Sequence, residues 1–158
     1  MVQDGLCEIE DIIENIRDSV KFVGRSDVQT LVFAEIAQQL QISVKSLIHD
    51  YRTRWNSTYE MLNCAIKFKE VFPPYQDREP RYDCCPSDEK GEKVEKVYGI
   101  LETFWTIIHI ISDSEYPTSN LFLWEIVKVK RLLDSKVNDD DDFIRAMMRR
   151  MKNKFDKY

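Results

Sequence analysis

Leu6, Ile9, Ile13, Ile16, Val20 and Val23 follow one another at steps of three and four. That is the repeat of one helix face, not of a strand, whose period is two. Residues 4–23 therefore read as an amphipathic helix stopped by Gly24. Ser26, with Gln29 three positions later, forms a capping box for a second helix carrying Leu31, Phe33, Ile36, Ala37 and Leu40. Residues 42–52, with Leu47-Ile48, fit a short helix or an extended segment equally. Trp55, Tyr59, Leu62 and Ile66 share the face of a further helix, with Thr53 as its N-cap. It is expected to run to about Phe72 and to be ended by Pro73-Pro74. Prolines, scattered charges and Cys84-Cys85 mark residues 73–86 as a surface loop.

Ser87 then caps a long helix with an apolar stripe of Val94, Val97, Leu101, Phe104, Trp105, Ile108 and Ile111. Tyr116-Pro117 breaks it, and Thr118 caps the next, which holds Leu121, Trp124, Val127 and Leu132. An acidic linker, 135–142, leads to a last helix with Phe143, Met147, Met151 and Phe155 on one side. No alternating strand pattern, Asn-Gly hairpin or internal repeat appears, and four glycines leave few places for tight β-turns. The expected fold is all-α: an array of about six helices in one domain, 1–158.

A chain of 158 residues with 43% hydrophobic and 32% charged composition is long enough and apolar enough for one core. No apolar run approaches the roughly 20 residues that span a bilayer, and no leader opens the chain, so the sequence predicts a cytosolic or nuclear protein without a membrane partner. Cys7, Cys64, Cys84 and Cys85 lack metal-ligand spacing and are expected as reduced thiols.

The net charge of −5 argues against a stand-alone, high-affinity DNA binder. Charge is unevenly spread, however. The first eighteen residues hold Asp4, Glu8, Glu10, Asp11, Glu14 and Asp18 against Arg17. The last fourteen hold Arg145, Arg149, Arg150, Lys152, Lys154 and Lys157 against Asp156. Two solvated helix faces, or an attraction between the two ends, both fit this pattern.

The run from Thr53 to Tyr59 carries the candidate site. A guanidinium beside an indole in the first turn of a helix, where backbone N–H groups are free, suits an unpaired base or a phosphate. Arg54 and Trp55, with Arg52 two residues earlier, are the candidate nucleic-acid-binding residues. The competing reading makes Trp55 a core side chain and pairs Arg54 with a neighbouring acid. No catalytic constellation accompanies them. His49-Asp50 is the sole adjacent His–acid pair, and His109 stands in an apolar run that suits a core edge. Asp139 to Asp142 lacks the glycine and downstream glutamate of a calcium loop. No metal, cofactor or small-molecule substrate is expected.

The Arg54-Trp55 run resembles the Arg-Trp block of hAT-superfamily transposases, in particular the plant domesticated proteins of the Ricesleeper and Daysleeper type, which carry BED zinc fingers. Val2 to Leu6, Ile16 to Val23, Ser114 to Leu121 and Met151 to Tyr158 are similar to further family segments in family order. The resemblance covers essentially the whole chain. It implies part of the all-helical insertion of a ribonuclease-H-like transposase, which separates the second Asp of an Asp-Asp-Glu triad from the Glu. The triad, the Cys-x-x-His motif and the BED finger would then lie outside residues 1–158, with Asp50 resembling a non-triad acid before the Arg-Trp block.

The expected function is thus that of a non-catalytic, transposase-derived domain with weak DNA binding at unpaired or hairpin ends, in the nucleus. The alternatives are a helical scaffold pairing with full-length hAT-like proteins, or a truncated product without a function of its own. One departure stands out. Relatives often carry tryptophan in the Ser87 helix, where this chain has Gly91.

Overall fold

The structure, a computed structural model, describes residues 1–43, 54–113 and 119–157. Among these residues every regular element is helical. In order they are α1 (Val2–Leu6), a 3₁₀ turn (Cys7–Ile9), α2 (Glu10–Val23), α3 (Asp27–Gln39), α4 (Trp55–Lys67), α5 (Phe72–Arg78), α6 (Asp88–Asp113), α7 (Ser119–Lys136) and α8 (Asp142–Phe155). Backbone contacts group the chain into two compact units: Asp11–Tyr98, and Met1–Glu10 together with Gly99–Tyr158. The expectations for Leu47-Ile48, His49-Asp50, Arg52, Thr53, Tyr116-Pro117 and Thr118 lie outside the described residues.

In the Asp11–Tyr98 unit, α2 ends before Gly24 as expected and buries Ile13, Ile16, Val20 and Val23, but the single helix expected over 4–23 is interrupted by the 3₁₀ turn Cys7–Ile9. Ser26 Oγ then accepts the Gln29 backbone N–H at 3.2 Å and starts α3. α3 ends in a Schellman turn: Gln41 N–H bonds the Gln38 carbonyl, Ile42 N–H bonds the Ala37 carbonyl, and Gln41 takes φ 58°. Gln41 thus takes the left-handed position that glycine most often fills. Phe33, Ile36 and Ala37 are buried, whereas Leu31 and Leu40 are exposed.

Pro73-Pro74 do not end the Trp55 helix. α4 stops at Lys67, and the prolines sit at the start of α5, where a helix leaves its N–H groups unbonded and loses nothing to a proline. The stretch 73–86 is accordingly helical to Arg78 and irregular from Glu79, which precedes Pro80. It is anchored rather than superficial. Tyr75 and Tyr82 are fully buried, and their rings meet at 5.2 Å. Phe33 packs within 5.5 Å of Phe68 and Phe72 and 5.4 Å of Tyr75. Tyr82 Oη donates to Ser19 Oγ at 2.9 Å, and Asn15 Nδ2 donates to the Cys84 carbonyl at 3.2 Å, fastening this segment to α2.

In the other unit, α8 packs on α1, the 3₁₀ turn and α7. Ile144, Met147, Met148 and Met151 form its buried face, with Phe143 and Phe155 half-buried at its margins. The two oppositely charged ends attract within this unit: Arg150 pairs with Glu8, and Lys154 lies 4.0 Å from Asp4.

α7 turns one face inward. Val129, Leu133 and the carboxylate of Glu125 are buried, while Trp124 is 55% and Val127 38% exposed. Leu121 to Trp124 are apolar all round the helix, so periodicity names no face there and contact with α8 decides. The link between α7 and α8 is shorter than 135–142, because α7 continues to Lys136. Its acids are engaged: Lys136 pairs with Asp139 at 2.9 Å, and Arg145 bonds the Asp139 carbonyl and the Asp142 carboxylate.

Candidate nucleic-acid interface

α4 begins one residue later than Thr53 capping requires. Arg54 is the N-cap, with extended backbone (φ −130°, ψ 100°) and no side-chain cap bond. Its carbonyl accepts the Ser57 N–H at 3.0 Å and the Ser57 hydroxyl at 2.9 Å. The backbone thus closes the first turn, and the exposed guanidinium of Arg54 is not used in capping. No acid stands in that turn, so none within it offsets the positive end of the helix dipole. Arg52 lies outside the described residues.

Trp55 is the first helical residue and is half-buried. One turn on, Thr58 and Tyr59 are buried, and Leu62 is fully so. The Tyr59 ring stacks on Tyr98 of α6 with centroids 5.2 Å apart and planes 8° from parallel, and the two hydroxyls are 3.3 Å apart. The expected face of α4 is therefore real, and Trp55 stands at its outer end, where an indole meets both protein and solvent. Sequence reading missed Tyr98. Its signal was faint, since one tyrosine in a long helix names no partner.

Other candidates find ordinary surroundings. His109 Nδ1 lies 3.0 Å from the Trp105 carbonyl, and its ring stacks on the Trp105 indole, as fits a satisfied core edge. Burial pushes the Cys84 and Cys85 thiols up, which keeps them protonated and poorly nucleophilic. All four cysteines are free. Among the described residues no group of three or more His, Cys, Asp or Glu side chains is placed to hold a metal ion, and no helix is long and apolar enough to cross a membrane.

The described residues are thus all-α, with a cationic and aromatic start to α4. The chain belongs to the ZBED1 RNase-like helical domain family, whose model matches residues 1–100. Residues 120–158 match a second family model, the hAT-like transposase, RNase-H fold.

Among curated proteins, the zinc finger BED domain-containing protein RICESLEEPER 2 of Oryza sativa subsp. japonica is 36% identical over 159 residues, covering 100% of this chain and 22% of that protein. A Zea mays protein whose name contains the words AC transposase is 32% identical over 100% of this chain and 20% of its own length. The zinc finger BED domain-containing protein DAYSLEEPER of Arabidopsis thaliana is 34% identical over 80% of this chain and 18% of its own length. The chain spans about a fifth of the length of these relatives. No solved structure matches it at a significant level.

Proposed function

We propose that this chain is a non-catalytic, transposase-derived domain that binds DNA weakly at unpaired or hairpin ends, through Arg54 and Trp55 with Arg52, in the nucleus. The observation that carries this reading is the head of α4: an exposed guanidinium beside a half-exposed indole, on a helix N-terminus free of acids in its first turn. A net charge of −5 gives little counterion release on a duplex, so affinity must come from local contacts. A base stacked on an aromatic side chain contributes about 1–3 kcal/mol irrespective of net charge. The resemblance supports the absence of catalysis, because it puts the Asp-Asp-Glu triad outside residues 1–158.

Fluorescence anisotropy with a hairpin-tipped duplex and a blunt duplex of equal length tests the proposal. The hairpin end should bind more tightly and with a shallow salt slope. Equal affinities with a steep slope would indicate bulk phosphate attraction instead.

The second reading, a scaffold pairing with full-length relatives, is favoured by the outward face of α7. Leu123, Trp124 and Val127 are exposed there, with the Arg131 guanidinium 5.9 Å over the Trp124 ring. A face of this kind is suited to protein contact.

A further inference from the structure

Eleven residues along α4 from Trp55, Ile66 borders a second feature of the Asp11–Tyr98 unit: a cavity of about 380 Å³ between α2, α4, α5 and the start of α6. Its floor is apolar, formed by Ile16, Phe72 and Val94, all buried, with Ile66 and Ala65. Gly91 opens the wall on the α6 side. A Cβ added there meets no atom within 4 Å, so the space is open at the level of the helix backbone. Ligand pockets generally run from roughly 300 to 1,000 Å³, and this one lies near the lower end of that range, with room for one large side chain.

The rim is mainly acidic. Glu70, Asp88, Glu92 and Glu95 border the cavity against the single cation Lys69. The Lys69 ammonium is committed to Glu95 at 2.8 Å. Glu89, one residue outside the lining, is likewise paired with Lys93 at 2.5 Å. Glu70, Asp88 and Glu92 are exposed at the mouth. An apolar socket with an anionic collar matches an apolar anchor flanked by cations.

We infer that this cavity docks a basic peptide segment of a protein partner, inserting one aromatic or long aliphatic side chain beside Gly91 while flanking Lys or Arg residues meet Glu70, Asp88 and Glu92. The surface is separate from the Arg54-Trp55 site and does not depend on it. Three features of the chain act together in it. The glycine leaves the socket open, Phe72 of α5 lines its floor, and the acids at the start of α6 both favour the helix dipole and select the partner's charge.

The test uses the full chain and three labelled probe peptides: Lys-Arg-Trp-Arg-Lys, the same sequence with central Ala, and Glu-Glu-Trp-Glu-Glu. The first should bind saturably, and the other two at least ten-fold more weakly. Gly91→Leu, which fills the socket from a helical position, and Glu92→Lys, which changes only an exposed charge, should each weaken the first peptide at least ten-fold while circular dichroism stays unchanged. Equal binding of the central-Ala peptide would show a merely electrostatic attraction and overturn the socket. Unchanged binding by folded Gly91→Leu would do the same. Unchanged binding by Glu92→Lys would overturn the role of the collar.

Discussion

Tyr59 and Tyr98 lie face to face, with planes 8° from parallel, and join the second turn of α4 to α6. This stack fixes the helix that presents Arg54 and Trp55. An aromatic pair contributes about 0.5–1.5 kcal/mol beyond the area it buries. Tyr98→Ala should therefore lower stability by about 1–3 kcal/mol in urea denaturation, and Tyr98→Phe by less than about 1 kcal/mol. Equal losses in the two variants would mean that the hydroxyl contact, not the ring, holds α4.

Gly5 and Gly99 should respond oppositely to alanine. A Cβ on Gly5 would lie 2.5 Å from Met151 Cγ and 2.7 Å from its Sδ, whereas one on Gly99 meets nothing within 4 Å. Gly5→Ala must push α1 from α8 or move a fully buried methionine, and should cost about 1–3 kcal/mol. Gly99→Ala lies in an exposed helical position and should stabilise by about 0.4–1 kcal/mol. Urea midpoints of the two variants decide the matter.

Alkali should unfold the Asp11–Tyr98 unit. Burial raises the phenol of Tyr75 to about 12 and that of Tyr82 further, and it raises the thiols of Cys84 and Cys85. A group with a raised folded pKa holds its proton longer in the folded state. Its contribution is complete below the unfolded value and is lost as pH rises toward the folded one. Stability should hold at neutral pH, decline from about pH 9 and fall steeply above about pH 10. Tyr75→Phe should reduce the slope of that decline in a melting-temperature series. A slope unaltered by Tyr75→Phe would exclude its phenol as a source.

How much was legible in the sequence depended on what fixed each element. The period of α2 and the serines before α3 and α6 are local signals, and both caps form: Ser26 Oγ bonds Gln29 N–H, and Ser87 Oγ accepts from Lys90 N–H at 3.3 Å. The 73–86 segment misled because proline is read as a breaker, although at a helix start it is compatible with the fold. Tyr82 is buried against Phe22, Phe72 and Tyr75, with its hydroxyl bonded to Ser19, 63 residues away, and no local pattern reports these contacts. In α7 no face could be read, since Leu121 to Trp124 are apolar on every side of the helix. At the candidate site, the Trp55-Tyr59-Leu62-Ile66 face was readable, but the half-exposure of Trp55 depends on tertiary packing.

The outward face of α7 should bind apolar dye. Leu123 and Trp124 are more than half exposed, and uncovered apolar surface of this kind also favours self-association. Trp124→Glu should lower the fluorescence of a bound hydrophobic dye and any concentration-dependent sedimentation, with helicity unchanged. Dye binding that persists in full would place the exposed apolar surface elsewhere.

Binding of hairpin-tipped DNA by Trp55→Leu, measured beside circular dichroism, tests the central claim most directly. Leucine retains an apolar body at the outer end of the α4 face but offers no ring for a base. The expected result is unchanged helicity with a loss of about 1–3 kcal/mol, roughly 5- to 150-fold in affinity. Arg54→Ala should weaken binding and lower the salt slope by about one phosphate contact. A folded Trp55→Leu protein that binds hairpin ends as tightly as the parent would contradict the account and leave Trp55 a packing residue.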